Sequence, residues 1–279
     1  MPQSPTSGRP GVLFDVDGTL LDTNYLHVLA WWQGLRDAGH HGVTMAEVHQ
    51  AIGIASEQLV EKLVGQPSEA AIAAHSERYE KLRDQVVAFD RAADLVSACA
   101  DRGYSVVLAT SGKESDLDWM LPAIGAEDGL AGSATSSDVE QAKPAPDLLV
   151  TAMQKNNLDP ARTVAVGDTV WDIQSAHDAG VAIIALTCGG ISRQQLREAG
   201  ADQIFDDPAD LLDPLGRLPA GQPRPGLRRS SATQPFVPVV AMPSTNCRCP
   251  TKNKMIIGMV VITLAVTTIS QCHSPPKPY

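Results

Sequence analysis

Residues 11–23 read Gly11-Val12-Leu13-Phe14-Asp15-Val16-Asp17-Gly18-Thr19-Leu20-Leu21-Asp22-Thr23, and the rest of the chain is organised around them. Gly11 to Val16 reads as a short buried strand, because a strand covered on both faces shows a continuous apolar run. The run ends in two acids one residue apart, Asp15 and Asp17, followed by Gly18. In open parallel sheets, ligands bind at the carboxyl ends of the strands. Two carboxylates placed there are costly to bury without a positive partner. A magnesium ion, hard and oxygen-seeking, is the simplest such partner. Taken alone, the stretch also fits an ordinary strand followed by an Asp-Gly turn.

Three further stretches decide between these readings. Val106 to Ala109 is a second apolar run, ending in Thr110-Ser111-Gly112. Lys143 opens Lys-Pro-Ala-Pro-Asp. Thr163 to Val166 is a third run, ending in Gly167-Asp168-Thr169-Val170-Trp171-Asp172. Four such motifs in this order at strand ends are far more specific than any one of them. Over residues 11–213 the set resembles the haloacid dehalogenase-like hydrolase superfamily.

The resemblance implies an α/β fold, a Rossmann-like parallel sheet with an inserted all-helical cap domain, and strand order five-four-one-two-three. It also implies the roles. Asp15 is the expected nucleophile, forming an aspartyl-phosphate. Asp17 is the expected general acid and base, and its presence argues against a dehalogenase. Thr19 braces the loop. Thr110 donates to a phosphoryl oxygen, aided by backbone N–H groups at Ser111 and Gly112. Lys143 holds the phosphoryl group and the nucleophile, on a segment that its neighbours Pro144 and Pro146 are expected to keep extended. Asp15, Asp17 (through its carbonyl), Asp168 and Asp172 are the expected Mg2+ ligands. Asp172 lies four residues after Asp168, one helical turn on. Asn24 and His27 are candidate phosphate- or substrate-binding residues.

Between strand one and the next strand signal the pattern is helical. Tyr25, Leu26, Leu29, Trp32 and Leu35 recur at three- and four-residue steps. Thr44 with Glu47 makes a capping box for a second helix. Ser56 to Val64 is a third helix, and Ser68 to Val87 is expected as the fourth and longest. The insert, residues 23–88, resembles a cap that closes over the site and excludes water. The core is then 11–22 with 89–213. Beyond the cap the chain alternates helices with strands at 105–110, 131–135, 163–166 and 181–186, as a parallel sheet covered on both faces requires.

The implied activity is removal of phosphate from a small phosphorylated metabolite, as in phosphoglycolate phosphatase-like enzymes. A β-phosphoglucomutase-like isomerase is the alternative. Such mutases carry an Arg where Ser56 stands, which weakens that reading. No motif identifies the substrate or the oligomeric state.

Composition agrees with a globular enzyme of 279 residues, 43% apolar and 19% charged. From Arg217 onward there are eight basic residues and no acid, leaving 14 basic against 32 acidic side chains before it. A body this acidic argues against nucleic acid as a partner. Five cysteines without framework spacing suggest reduced thiols and a cytoplasmic setting. Residues 1–10 read as a disordered arm. Residues 214–279 read as a Pro-rich basic tail, disordered to about Lys254, with an apolar segment at 255–270. That segment is shorter than the ~18–20 residues of a spanning helix. A functionally neutral extension or a shifted reading frame is the favoured reading of the tail, with a membrane anchor the lesser alternative.

Overall fold

The computed structural model describes residues 8–216, with side chains described to Asp213. The expectations for residues 1–7, and for the tail with its 255–270 segment, lie outside these residues. The strands β1 (Arg9–Phe14), β2 (Ser105–Ala109), β3 (Gly132–Ala134), β4 (Leu158–Gly167), β5 (Ala182–Leu186) and β6 (Gln203–Phe205) form one parallel sheet. Its order is β3-β2-β1-β4-β5-β6. This is the expected order with one more edge strand, and β1 lies between β2 and β4 as expected. Leu13 sits opposite both Val107 and Ala165, which fixes the register at the centre of the sheet.

Successive side chains of a strand point to opposite faces, so each apolar run feeds two cores. Val12 and Phe14 pack on one face with Leu95 of α5 (Ala92–Asp101) and Met120 of α6 (Leu117–Ile124). Leu13 packs on the other with Leu148 of α7 (Asp147–Lys155), Ile173 of α8 (Val170–Ala179) and Leu196 of α9 (Arg193–Ala199). Phe14 is fully buried, so truncating it to Ala would cost about 3–5 kcal/mol.

Four helices stand between β1 and α5: α1 (Asn24–Asp37), α2 (Met45–Ala51), α3 (Ser56–Val64) and α4 (Glu69–Glu80). They enclose a core of their own built on Val28, Trp31, Leu35, Val48, Leu59 and Val60. The Thr44–Glu47 capping box opens α2, and left-handed Gly65 closes α3. The two strands of chain that connect this insert to the sheet pair with each other. Asp22 N–H donates to Val87 O at 2.9 Å, and Phe89 N–H donates to Leu20 O at 3.0 Å.

Several expectations need correction. Arg9 and Pro10 belong to β1 and not to an arm, because Arg9 N–H bonds Asn157 O at 2.9 Å. β1 accordingly ends at Phe14, two residues before the expected limit. β4 starts five residues earlier than expected, where Leu158 pairs with Arg9. Helix α4 stops at Glu80 and α1, at 14 residues, is longer. The chain leaves α4 because Arg83 turns to the core, pairing with Asp116 at 2.8 Å and lying over the Trp119 ring. Residues 203–205 are a strand, and α10 (Pro208–Gly216) follows. Among the described residues, no helix is long and apolar enough to cross a membrane.

Candidate active site

The four motifs meet where β1, β2 and β4 end side by side. Asp15 follows β1, Thr110 follows β2 and Asp168 follows β4, all three buried. Asp15, Asp168 and Asp172 bring carboxylate oxygens within 4.8 Å of one another. Lys143, 1% exposed, pairs with Asp15 and reaches Asp172 at 2.7 Å. The Thr19 hydroxyl lies 3.2 Å from Asp168 and 3.4 Å from Asp15. Asn24 donates to Asp168 at 2.8 Å and to Gly189 O at 3.0 Å.

Asp172 does not share a helix face with Asp168. It is the third residue of α8, whose N-cap is Thr169. One of its oxygens accepts from Thr169 N–H at 3.0 Å, and the other faces Lys143. The helix start therefore aims this carboxylate back into the site. The Lys143 segment is not extended either. Ala145 N–H bonds Ala142 O at 3.1 Å, closing a turn in which the Lys143–Pro144 peptide is cis.

The Asp17 side chain, expected to serve in proton transfer and not as a metal ligand, stands apart from the three carboxylates. Its carboxylate accepts from Thr23 Oγ1 at 2.7 Å and lies 3.4 Å from His27 Nε2. It thus faces the insert, away from the three-carboxylate cluster. His27 Nδ1 is in turn 3.2 Å from His75 Nε2. Tyr79 stacks on His27 with centroids 3.8 Å apart, and Trp31 stacks on His75 at 3.9 Å. The Thr110 hydroxyl accepts from Gly112 N–H at 3.0 Å, so that N–H, expected to face a phosphoryl oxygen, is spent within the loop. The Ser111 hydroxyl reaches across to Gly53 O at 3.0 Å.

Burial and charge set the protonation of this centre. Burial pushes Asp15 up to about 7; Lys143 opposes this, while Asp172 and Asp17 add to it. Burial, Asp172 and Asp15 likewise hold Asp168 well above the usual carboxylate range. Burial opposes the charge on Lys143, but Asp15 and Asp172 outweigh it and keep the ammonium protonated. Burial also works against the Asp17 carboxylate, yet His27 and Thr23 hold it below its ordinary value. Once ionised, three buried carboxylates with one lysine carry surplus negative charge. All their donors are hard oxygens, the set that suits a divalent cation such as Mg2+ or Ca2+. Asn24 Oδ1 beside Asp168 is buried without a hydrogen-bond partner, a further acceptor for a hydrated ion.

Two glycines make the close approach feasible. A methyl group at Gly18, which has φ +79°, would overlap Asn24 and Asp168. One at Gly189 would overlap Asp168 Oδ2. Above the carboxylates lies a cavity of about 270 Å3 lined by Asp15, Asp17 and Ser111 from the sheet side and His27, His75 and Tyr79 from the insert. His75, Tyr79 and Gly189 were not singled out from the sequence. The Gly189-Gly190 pair after an apolar strand was a readable signal, whereas nothing in α4 marks which face covers a site.

This arrangement coincides with a known family. Residues 12–186 match the model of the haloacid dehalogenase-like hydrolases, and the chain belongs to that family. It is similar to a probable phosphatase, IndB, of Dickeya dadantii, with 29% identity over 73% of this chain and 92% of that protein. It is also similar to a phosphoglycolate phosphatase of Vibrio vulnificus, 26% identical over 72% of this chain and 94% of the other. Among solved structures, a hydrolase from Pseudomonas syringae superposes with a TM-score of 0.69 at 28% identity, covering 74% of this chain and 97% of its own. The chain is thus an enzyme of the phosphatase kind within this family.

Proposed function

We propose that this protein is a Mg2+-dependent phosphatase of small phosphorylated metabolites, working through an aspartyl-phosphate on Asp15. The observation that carries the reading is the placement of Asp15. It sits beside a buried lysine and a carboxylate cluster, on the floor of a cavity it shares with Asp17. A volume near 270 Å3 suits a small molecule, just below the ~300–1,000 Å3 common for ligand sites.

In the first step an Asp15 oxygen attacks phosphorus and the bond to the leaving oxygen breaks. The negative charge of the bound phosphate raises the proton affinity of Asp17, which takes up a proton as the substrate binds and gives it to that oxygen, leaving an alcohol. In the second step water attacks the acyl phosphate, Asp17 takes the water's proton, and inorganic phosphate departs with Asp15 restored. Lys143 and the Thr110 hydroxyl offset charge on the phosphoryl oxygens. Asp15, Asp168 and Asp172 would hold the cation, which when bound supplies further charge neutralisation. His27 orients Asp17. The cap excludes water from the reacting centre.

Ser56 lines the cavity where mutases of this family carry an Arg, which favours hydrolysis over isomerisation. The unbridged Cys99 and Cys188 are consistent with a reducing compartment, and the proposed location is the cytoplasm. The test is phosphate release from a panel of phosphate monoesters with magnesium or with chelator. Release should require the metal and vanish in Asp15→Asn. Release that survives in Asp15→Asn overturns the reading.

A further inference from the structure

Two rings of α1 lie against two rings of α4. His27 and Trp31 are one turn apart on α1, and His75 and Tyr79 are one turn apart on α4. His27 stacks on Tyr79 with centroids 3.8 Å and planes 10° apart, and His75 stacks on Trp31 at 3.9 Å and 8°. The two imidazoles meet edge to edge. Their planes differ by 25°, their centroids are 5.4 Å apart, and His27 Nδ1 lies 3.2 Å from His75 Nε2. That is the geometry of an N–H···N hydrogen bond lying near both ring planes.

What stands on the far side of His27 sets the direction of this bond. His27 Nε2 faces Asp17 Oδ1 at 3.4 Å. An ionised carboxylate can only accept, and Thr23 Oγ1 donates to the same oxygen at 2.7 Å. His27 Nε2 therefore carries a hydrogen, and in a neutral imidazole Nδ1 is then bare. Nδ1 accepts and His75 Nε2–H donates. His75 is 8% exposed, and burial keeps it neutral, so it supports this tautomer without adding a charge. One oxygen of Asp17 is thus clamped by two donors. The other, Oδ2, accepts no hydrogen bond from the described residues, and the side chain, 19% exposed, opens on the cavity.

We propose that His75 is a positioning residue for proton transfer. It holds His27 as the Nε2–H tautomer, so that Asp17 Oδ1 stays clamped and Oδ2 is the oxygen that exchanges a proton with the substrate. The opposite tautomer would set a lone pair against Oδ1 and draw the proton of the acid form there, away from the leaving group. With Nε2–H in place that proton sits on Oδ2. The Oδ2–H bond breaks as the leaving oxygen gains the proton, and the attacking water returns a proton to Oδ2 in the second step. The effect on rate rests on the phosphatase reading, whereas the tautomer is read without turnover.

The full chain labelled with 15N in histidine, in magnesium, reports each tautomer by long-range 1H–15N NMR, with His27 assigned from its loss in His27→Gln. Native His27 should show hydrogen on Nε2 and a bare Nδ1. Hydrogen on Nδ1, in the neutral or the doubly protonated ring, overturns the proposal. Two variants then separate positioning from packing. His75→Phe keeps a ring on Trp31 and removes the donor, whereas His75→Gln gives up the ring and keeps an N–H donor. Packing alone would make Phe the better tolerated, and positioning predicts the reverse. In His75→Phe, kcat for a phosphate monoester should fall at least about tenfold with KM within about twofold, a share of the ~10²–10⁴-fold that a positioned acid and base contribute. The His27 pattern should also lose its single Nε2–H form, and His75→Gln should recover most of both. A retained melting temperature shows that the variants fold. Native kcat in His75→Phe, or a higher kcat in Phe than in Gln, overturns the positioning role. The expected His27 pattern in a native protein that releases no phosphate from any monoester would instead sink the phosphatase reading, while the His75–His27 bond stands.

Discussion

At the scale of single residues, the site is a problem in burying charge. Asp15 and Asp168 are buried, and without a cation both are held above the usual carboxylate range, Asp15 at about 7. Folded Asp15 keeps a proton that an unfolded Asp releases at the ordinary 3.8, so metal-free stability falls as pH rises from 3.8 to about 7. Cation binding must displace such protons, so affinity should climb as pH rises toward neutrality. Calorimetric titration of the metal-free protein with magnesium at pH 5.5 and pH 7.5 checks this. Equal affinity at the two values would contradict it. Asp15, Asp17, Lys143, Asp168 and Asp172 were all legible, because each sits in a short motif at a strand end. What the motif did not convey was orientation. Asp172 reaches the site as the third residue of α8, and Asp17 turns its carboxylate to Thr23 and His27.

At the scale of elements, loops after strands shape the centre as much as the ligands do. The loop after β5 packs Gly189 against Asp168, leaving no room for a methyl group. Gly189→Ala should weaken magnesium binding more than tenfold, since displaced ligands and their supports typically cost 10–100-fold. The helical content, read by circular dichroism, should stay native. In α4, His75 is 8% exposed and stacked on Trp31. Burial, with His27 and Lys113, lowers its pKa to about 2, so it stays neutral in the fold. An unfolded His takes a proton near 6.5, so stability is intact above 6.5 and lost as pH falls below it. The slope is up to about 1.4 kcal/mol per pH unit. His75→Phe should flatten that part of the acid-unfolding profile measured by urea denaturation between pH 6.5 and pH 4.5. Helix α3 was legible to the residue, and α2, expected to end near Gly53, to within about two. The end of α4 was not, because Arg83 leaves the helix for partners 33 and 36 residues away. Edge strand β6 has three half-buried residues and too little pattern to register.

At the scale of the molecule, the sheet order does the assembling. β1 lies between β2 and β4, so motifs spread over more than 150 residues of sequence end in one crevice. The helical insert then lids that crevice through the paired linkers at Asp22–Val87 and Leu20–Phe89 and through the Ser111–Gly53 bond. Order of strands was implied by resemblance and not by periodicity, since apolar runs show burial but not which strand is neighbour to which. The cavity wall at Tyr79 and Arg83 was not legible for a related reason. Tyr79, Arg83 and Trp119 meet only when the insert folds onto α6.

Turnover should place the phosphoryl group on Asp15. The most direct measurement is mass spectrometry of the Asp15-containing peptide from native protein quenched in acid while hydrolysing a substrate with magnesium. A phosphoryl adduct on Asp15, absent with chelator and absent in Asp15→Asn, is the predicted result. Phosphate release at full rate with no adduct on Asp15 at any quench time, or with the adduct on another residue, would contradict the account.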